Sequence, residues 1–347
     1  MKRSFISILF TLIFFSACLP QASPNPTPAP TKTNKPSPTA SPSSTPTLRP
    51  SPTSTRTPTA IPTNTPIPTS TATQTFDSDN LGEIETDAVY CTIDGVSLKM
   101  DIYYPTYGDQ PWPVVVYVHG GRWTGGDKAT GSGLRYVEAL LDEQIMVVSV
   151  NYRLAPEYVF PAPLEDIKCA VRHLRANAGY YNLNPLKIGT FGTSAGGHLT
   201  SMLGLVSHGA GYDDAGGYQD TYSRVQAVAS LFAPSDFSFS CKDDLVSYIF
   251  GASSCKDTGT LLLASPLSYV GSNAPPFLLI HGEKDRIVPI KHSRVLYRAL
   301  TDAGAPYVTL VEVENGGHGF QAVGGKLNPT KSQISKLLID FFVQYLK

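Results

Sequence analysis

The pattern of apolar and polar positions changes sharply near residue 76. Beyond that point, short β-branched runs alternate with segments whose apolar positions recur at helical spacing. Residues 86–104 alternate about Asp94-Gly95, which is typical of a type I′ turn and predicts an opening β-hairpin. Further strands are predicted at 114–118, 145–150, 187–191, 225–232, 276–280 and 307–313, and helices at 134–143, 163–178, 195–207, 291–303 and 331–345. This alternation predicts one α/β domain, a mostly parallel central sheet with helices on both faces.

Two irregular stretches, residues 209–223 and 235–263, interrupt that alternation. They are long for connections within a compact domain, and such insertions often shape a substrate pocket over the active face. We expect both stretches to lie there.

The start of the chain has the pattern of an export signal. Two basic residues at positions 2 and 3 precede an apolar run over residues 5–15, which is too short to span a bilayer. Phe-Ser-Ala-Cys follows and resembles the lipobox of bacterial lipoprotein signals. We predict a signal peptide over residues 1–18, with Cys18 lipidated and the protein anchored on the outer face of a bacterial membrane. Phe15 replaces the usual small aliphatic residue, so secretion after cleavage remains the alternative.

Composition separates a tether from a folded domain. Residues 19–75 hold 15 of the 29 prolines and no aromatic or acidic residue, so we predict a disordered Pro/Thr/Ser-rich linker before a domain at 76–347. Six of the 27 Lys and Arg and none of the 28 Asp and Glu precede residue 76, which leaves the domain 21 basic against 28 acidic residues. An acidic domain argues against nucleic-acid binding, and the only expected membrane contact is the lipid anchor.

Four cysteines remain besides Cys18. Cys241 and Cys255 lie 14 positions apart in a polar segment and could close a disulfide loop. Cys169 falls on the apolar face of a predicted helix, so we expect an inert buried thiol there. The spacings do not predict a metal site.

The strongest chemical signal is Gly192-Thr193-Ser194-Ala195-Gly196, directly after a predicted strand and directly before a predicted helix. A turn this tight requires flanking positions without bulk. It would present the Ser194 hydroxyl at a helix N-terminus, where the Ala195 amide favours negative charge.

A serine hydroxyl needs a base and an acid that orients the base. Asp285 follows the strand at 276–280, and His318 follows the strand at 307–313. We therefore predict Ser194 as nucleophile, His318 as base and Asp285 as acid, with Asp236 as the alternative acid. The chain order Ser, Asp, His differs from that of chymotrypsin-like and subtilisin-like proteases.

A second motif, His119-Gly120-Gly121-Arg122-Trp123, follows the strand at 114–118. Its glycines would let amide groups turn toward the site and act with the Ala195 amide as an oxyanion hole. The remaining candidates are assigned structural roles. His119 would pin its loop, His198 and His281 would pack, Glu283 would be solvated, and Glu165 and Asp166 would satisfy a helix dipole.

These motifs, with Asn-Tyr-Arg-Leu-Ala-Pro-Glu at 151–157 and Phe-Pro-Ala-Pro-Leu-Glu-Asp at 160–166, resemble one branch of the α/β-hydrolases over nearly all of 85–347. That branch holds hormone-sensitive-lipase-like carboxylesterases, kynurenine formamidase-like enzymes, and acetyl xylan or feruloyl esterase-like proteins. The resemblance implies a serine esterase without a cofactor that forms an acyl-enzyme on Ser194. It also implies oxyanion donors at Gly121 and Arg122, where Arg122 replaces a third Gly, and a substrate pocket lined by Trp123 and Arg122.

The sequence thus predicts an exported carboxylesterase that acts on small or polysaccharide-linked esters, with acetyl or feruloyl groups as the leading substrates. A formamidase role fits poorly with an export signal. Two alternatives stay open. One is an exported serine peptidase of the prolyl-oligopeptidase-like branch, which the missing β-propeller disfavours. The other is a non-catalytic surface binding module on a hydrolase scaffold, which the complete triad disfavours.

Overall fold

The computed structural model describes residues 81–239, 248–251 and 255–347. Within them, eight strands form one sheet in the spatial order β1-β2-β4-β3-β5-β6-β7-β8. The strands are β1 (Leu81–Ile93), β2 (Val96–Pro105), β3 (Trp112–Val118), β4 (Met146–Val150), β5 (Leu183–Thr193), β6 (Val228–Leu231), β7 (Phe277–Gly282) and β8 (Val308–Val313). The predicted signal peptide, the linker, Cys18 and Cys241 lie outside the described residues.

The sheet opens with the predicted hairpin and is parallel from β4 to β8. Strands β1 and β2 pair antiparallel, and so do β2 and β4, whereas every later pairing is parallel. Asp94 and Gly95 have φ of 52° and 80°, the two positive values that a type I′ turn requires. The predicted fold class is therefore confirmed.

Helices cover both faces of the sheet. The described helices are α1 (Val137–Asp142), α2 (Ala162–Ala176), α3 (Ala195–Leu205), α4 (Thr258–Leu263), α5 (Lys291–Asp302) and α6 (Lys331–Leu346). Val114, Val116 and Val118 of β3 pack in one apolar cluster with α2, α3 and α5, while Val115 and Tyr117 pack in the other with α1 and α6. This period of two explains why a strand buried on both faces has a continuous apolar sequence. In the part of the chain that the structure describes, none of the helices is long and apolar enough to cross a membrane.

The prediction of an inert thiol at Cys169 is wrong. Cys169 on α2 forms a disulfide with Cys91 on β1, across 78 positions of sequence. Periodicity places Cys169 correctly on the buried face of its helix, but only the packing of α2 against β1 shows what it meets there. Cys255 is also disulfide-bonded.

The two irregular stretches have different locations. The first, residues 209–223, packs against α2, where buried Asp213 accepts hydrogen bonds from Lys168 at 2.8 Å and from Arg172 at 3.2 Å. Tyr212 of this stretch also contacts Phe160, with ring centroids 5.9 Å apart, and the expectation that the stretch covers the active face stays a prediction. The second stretch, residues 235–263, does reach the predicted site, where Phe237 packs against Trp123.

Asp166 has a different role from the one predicted for a helix start. It is fully buried and accepts hydrogen bonds from the Arg153 backbone at 2.7 Å and from the Arg153 guanidinium at 2.9 Å. Burial raises the pKa of Asp166 to about 6 against the opposing effect of Arg153. The pair joins the loop after β4 to the first turns of α2, and Glu165 adds a contact with Arg153 at 3.3 Å.

Candidate active site

Ser194 lies on a strained turn between β5 and α3. Its φ of 53° and ψ of −116° are unusual for a residue with a side chain, and such a conformation costs on the order of 1–3 kcal/mol. The turn is held because the Ser194 amide donates to Leu231 of β6 at 2.9 Å. A Cβ at Gly192 would lie 2.3 Å from the Gly196 carbonyl, and a Cβ at Gly196 would lie 2.0 Å from the Val118 carbonyl oxygen. Both positions therefore require glycine.

The three predicted triad residues meet at this turn. The Ser194 hydroxyl lies 3.1 Å from His318 Nε2, and His318 Nδ1 lies 2.8 Å from Asp285 Oδ2. The His318 side chain is 19% exposed and that of Asp285 is fully buried, so substrate can reach the base but not the acid. This is the geometry in which Nδ1–H donates to Asp285 and leaves Nε2 to accept the serine proton.

Asp285 is held by its own loop. Its Oδ1 accepts the amide N–H groups of Ile287 and Val288, each at 2.9 Å. Burial alone would raise the pKa of Asp285, but hydrogen bonds from His281, His318 and the Val288 amide outweigh it and hold that pKa well below the usual range. The alternative acid Asp236 accepts the Ser238 amide at 2.8 Å instead.

The predicted oxyanion loop passes against the nucleophile. A Cβ at Gly120 would lie 3.5 Å from that of Ser194, and Gly121 has a φ of 129° with no room for a side chain. Arg122 follows with a φ of 58°. Ala195 is the first residue of α3, so its amide has no acceptor within the helix. The loop and the helix start thus lie together at Ser194, which an oxyanion hole requires.

His119 lies beneath this loop as a structural residue. It is 1% exposed, its ring stacks on Tyr152 at 4.4 Å, and its Nδ1 lies 2.7 Å from the Gly120 carbonyl oxygen. Burial lowers the pKa of His119, which keeps the ring neutral. This agrees with the predicted role in pinning the loop.

Trp123 packs among other aromatic side chains, so little of its surface is left to line a pocket. It is 8% exposed, enclosed by Phe237 and Phe250, and donates a hydrogen bond to His198 Nδ1 at 3.2 Å. His198 Nε2 in turn lies 2.7 Å from the Ala264 carbonyl oxygen, and burial lowers the pKa of His198 to about 4. The packing role predicted for His198 is confirmed, whereas Trp123 acts mainly as support for the loop at 119–123.

Two further side chains lie at the site, one of them not predicted from the sequence and the other given only a packing role. Phe232 packs edge-on against His318 with ring centroids 4.9 Å apart, in a backbone conformation with a φ of 41° that the sequence does not signal. His281, predicted to pack, lies 3.4 Å from Asp285 Oδ2. The four-residue spacing from His281 to Asp285 at a strand end is the only sequence signal for that contact. Within the described ranges, no cluster of three or more His, Cys, Asp or Glu is placed to hold a metal ion.

A mostly parallel sheet in this strand order, with Ser, Asp and His on the loops after β5, β7 and β8, defines the α/β-hydrolase fold with a Ser-His-Asp triad. Comparison with known proteins agrees with this class. The chain belongs to the BD-FAE family, whose model matches residues 100–300.

Among curated proteins, the chain is similar to the esterase LipQ of Mycobacterium tuberculosis, with 32% identity over 214 residues. The match covers 60% of this chain and 50% of LipQ, so the chain spans about half the length of that relative. Among solved structures, a truncated carbohydrate esterase from gut microbiota is 28% identical with a TM-score of 0.68, covering 77% of this chain and 98% of the other. A bifunctional GH43-CE protein of Bacteroides eggerthii is 30% identical with a TM-score of 0.67, covering 76% and 38%.

Proposed function

We propose that this chain is an exported serine carboxylesterase that removes acyl groups, acetyl or feruloyl, from polysaccharide through an acyl-enzyme on Ser194. One observation carries the proposal: a hydroxyl on a strained turn, an imidazole and a buried carboxylate linked in series at 3.1 and 2.8 Å.

The first half of the reaction follows from these contacts. The Ser194 oxygen attacks the ester carbonyl carbon while its proton passes to His318 Nε2. Negative charge develops on the carbonyl oxygen, where the amides of Gly121, Arg122 and Ala195 would stabilise it. Asp285 stabilises the imidazolium, which then protonates the leaving alcohol as the C–O bond breaks.

The second half releases the acid. Water takes the place of the alcohol, His318 removes its proton, and hydroxide attacks the acyl carbon on Ser194. Collapse of the second tetrahedral intermediate breaks the bond to Ser194, whose oxygen recovers a proton from His318. No reactant other than ester and water is required.

One comparison and one prediction support a carbohydrate-linked substrate. One of the two similar structures is named as a carbohydrate esterase and the other as a bifunctional GH43-CE protein. The predicted linker over 19–75 would let the domain reach polymers away from the cell surface.

The Cys91–Cys169 disulfide supports export, since such bonds persist in oxidising compartments and are rare in the cytosol. It agrees with the predicted signal peptide, while anchoring at Cys18 rests on the leader sequence alone. Cys18→Ser is the variant that tests it. We expect the parent in the membrane fraction with a lipid mass on Cys18, and the variant without that mass.

The function is tested with the purified full chain on p-nitrophenyl esters from acetate to decanoate, acetylated xylan and methyl ferulate. We expect activity confined to acetate, ferulate and the acetylated polymer, with Ser194→Ala inactive and unlabelled by a fluorophosphonate. A preference for butyrate or longer chains would refute the carbohydrate substrate. Absence of both turnover and labelling in the parent would refute the esterase itself and favour the binding module.

A further inference from the structure

His281 is a buried histidine that links helix α5 to the triad acid and its loop. It occupies the penultimate position of β7 and is 0% exposed. Its Nδ1 lies 2.7 Å from the hydroxyl of Ser293 on α5, and its Nε2 lies 2.8 Å from the Val288 carbonyl oxygen. The same Nε2 lies 3.4 Å from Asp285 Oδ2.

These partners define where the proton on the ring lies. A carbonyl oxygen only accepts, so Nε2 carries a hydrogen, and the Ser293 hydroxyl is placed to donate to Nδ1. The Nε2–H group therefore lies between the Val288 carbonyl and Asp285 Oδ2. The Val288 carbonyl selects this tautomer, and the Ser293 hydroxyl fixes the ring from its other side.

The carboxylate of Asp285 needs such a neighbour. Its Oδ1 already accepts two amides, whereas its Oδ2 accepts one close hydrogen bond from His318 at 2.8 Å and has His281 Nε2 at 3.4 Å. A fully buried carboxylate oxygen is costly unless donors surround it, and His281 is the second donor that faces Oδ2. Val288 also donates its amide to Oδ1, so His281 contacts both the carboxylate and the loop that aims it.

We propose that His281 is a positioning residue for the triad: it fixes Asp285 and its loop so that Oδ2 stays aligned with His318 Nδ1. The proposal rests on ester hydrolysis at Ser194 but concerns a residue outside the triad. His281 reaches the substrate only through Asp285 and His318.

The test compares His281→Leu, which removes the donor, with His281→Gln, whose amide places a donor near the position of Nε2. For His281→Leu we expect kcat on p-nitrophenyl acetate to fall about 10- to 100-fold with KM nearly unchanged, because small misalignment of the triad slows the chemical step. His281→Gln should recover most of that loss. The low-field proton resonance of the His318–Asp285 hydrogen bond should broaden in the Leu variant and persist in the Gln variant.

His292→Leu is the matched control. His292 is a second buried histidine, on α5, which contacts the Ser235 amide at 3.2 Å instead of Asp285. We expect it to lower the melting temperature while kcat and the low-field resonance stay at parent values. Equal loss of activity in the Leu and Gln variants of His281, in proportion to their loss of stability, would overturn the proposal.

A second variant covers the case in which His281→Leu does not fold. Ser293→Ala keeps the imidazole but removes the hydroxyl that holds it from α5, and we expect about a 3- to 10-fold fall in kcat with a broadened resonance. Parent-like kcat and resonance in Ser293→Ala would overturn the proposal in that case. A parent without esterase activity would instead refute the proposed function. The role of His281 would still be tested, because the low-field resonance of the His318–Asp285 hydrogen bond does not depend on turnover.

Discussion

Replacing Asp285 by Asn exchanges one oxygen of the triad for an amide nitrogen of similar size. Oδ1 accepts two backbone amides at 2.9 Å each, and an Asn side chain keeps both by placing its own oxygen there. Its NH₂ group then faces His318 Nδ1 at the position now occupied by Oδ2, 2.8 Å away. Two donors cannot share that contact, so the imidazole must move its proton to Nε2, which then cannot accept the proton of Ser194.

The size of the effect follows from this tautomer exchange. Presenting the wrong nitrogen to a serine nucleophile lowers kcat by about 10⁴-fold, which corresponds to about 5.4 kcal/mol of transition-state stabilisation. The fold should remain intact because the backbone hydrogen bonds to the side chain survive. Asp236→Asn is the matched control, and we expect kcat within about twofold of the parent because this carboxyl accepts the nearby Ser238 amide, whereas His318 bonds Asp285.

Steady-state kinetics on p-nitrophenyl acetate, with a melting curve for each variant, measure these effects. The expected result is a loss of kcat in Asp285→Asn without a matching loss of melting temperature. Retention of more than about a tenth of parent kcat would refute the tautomer argument, because an imidazole that carries its proton on Nε2 cannot accept the proton of Ser194. A larger loss in Asp236→Asn would assign the acid to that residue.

Three further predictions concern stability. Gly196→Ala would place a Cβ 2.0 Å from the Val118 carbonyl oxygen, so we expect no folded, fluorophosphonate-reactive protein, and normal yield and labelling would contradict this packing. Replacing both Cys91 and Cys169 by Ala should lower the free energy of unfolding by about 4.5 kcal/mol, because the bond closes a loop of 78 residues. A change below about 1 kcal/mol in a denaturant titration would rule out a stabilising bond. Asp213→Ala leaves two buried cations of α2 without their carboxylate and should cost about 3–5 kcal/mol, which a parent-like melting temperature would disprove. Burial alone would raise the pKa of Asp213, but its hydrogen bonds with those cations outweigh burial and lower it. The stability that Asp213 contributes to the parent should therefore be complete above about pH 4 and decline as the pH falls further. Melting temperatures measured against pH test that decline.

The sequence predicted elements well where hydrophobic periodicity alone decides them. The strand predicted at 114–118 and the helix predicted at 163–178 appear as Trp112–Val118 and Ala162–Ala176. Boundaries shifted where sheet pairing extends or shortens a strand. The strand predicted at 187–191 extends over Leu183–Thr193 because Leu183 pairs with Trp112 of β3.

The sequence by itself determined the fold class and the three triad residues, because each follows a predicted strand and parallel strands bring their carboxyl ends to one edge. Contacts between residues distant in sequence and without a shared motif were decided by the tertiary structure. The Cys91–Cys169 bond, the burial of Trp123 and the place of His281 behind Asp285 are of this kind. The spacing of residues along the chain predicts which face of a helix or strand a side chain lies on. The residue that it contacts there depends on which other element packs against that face.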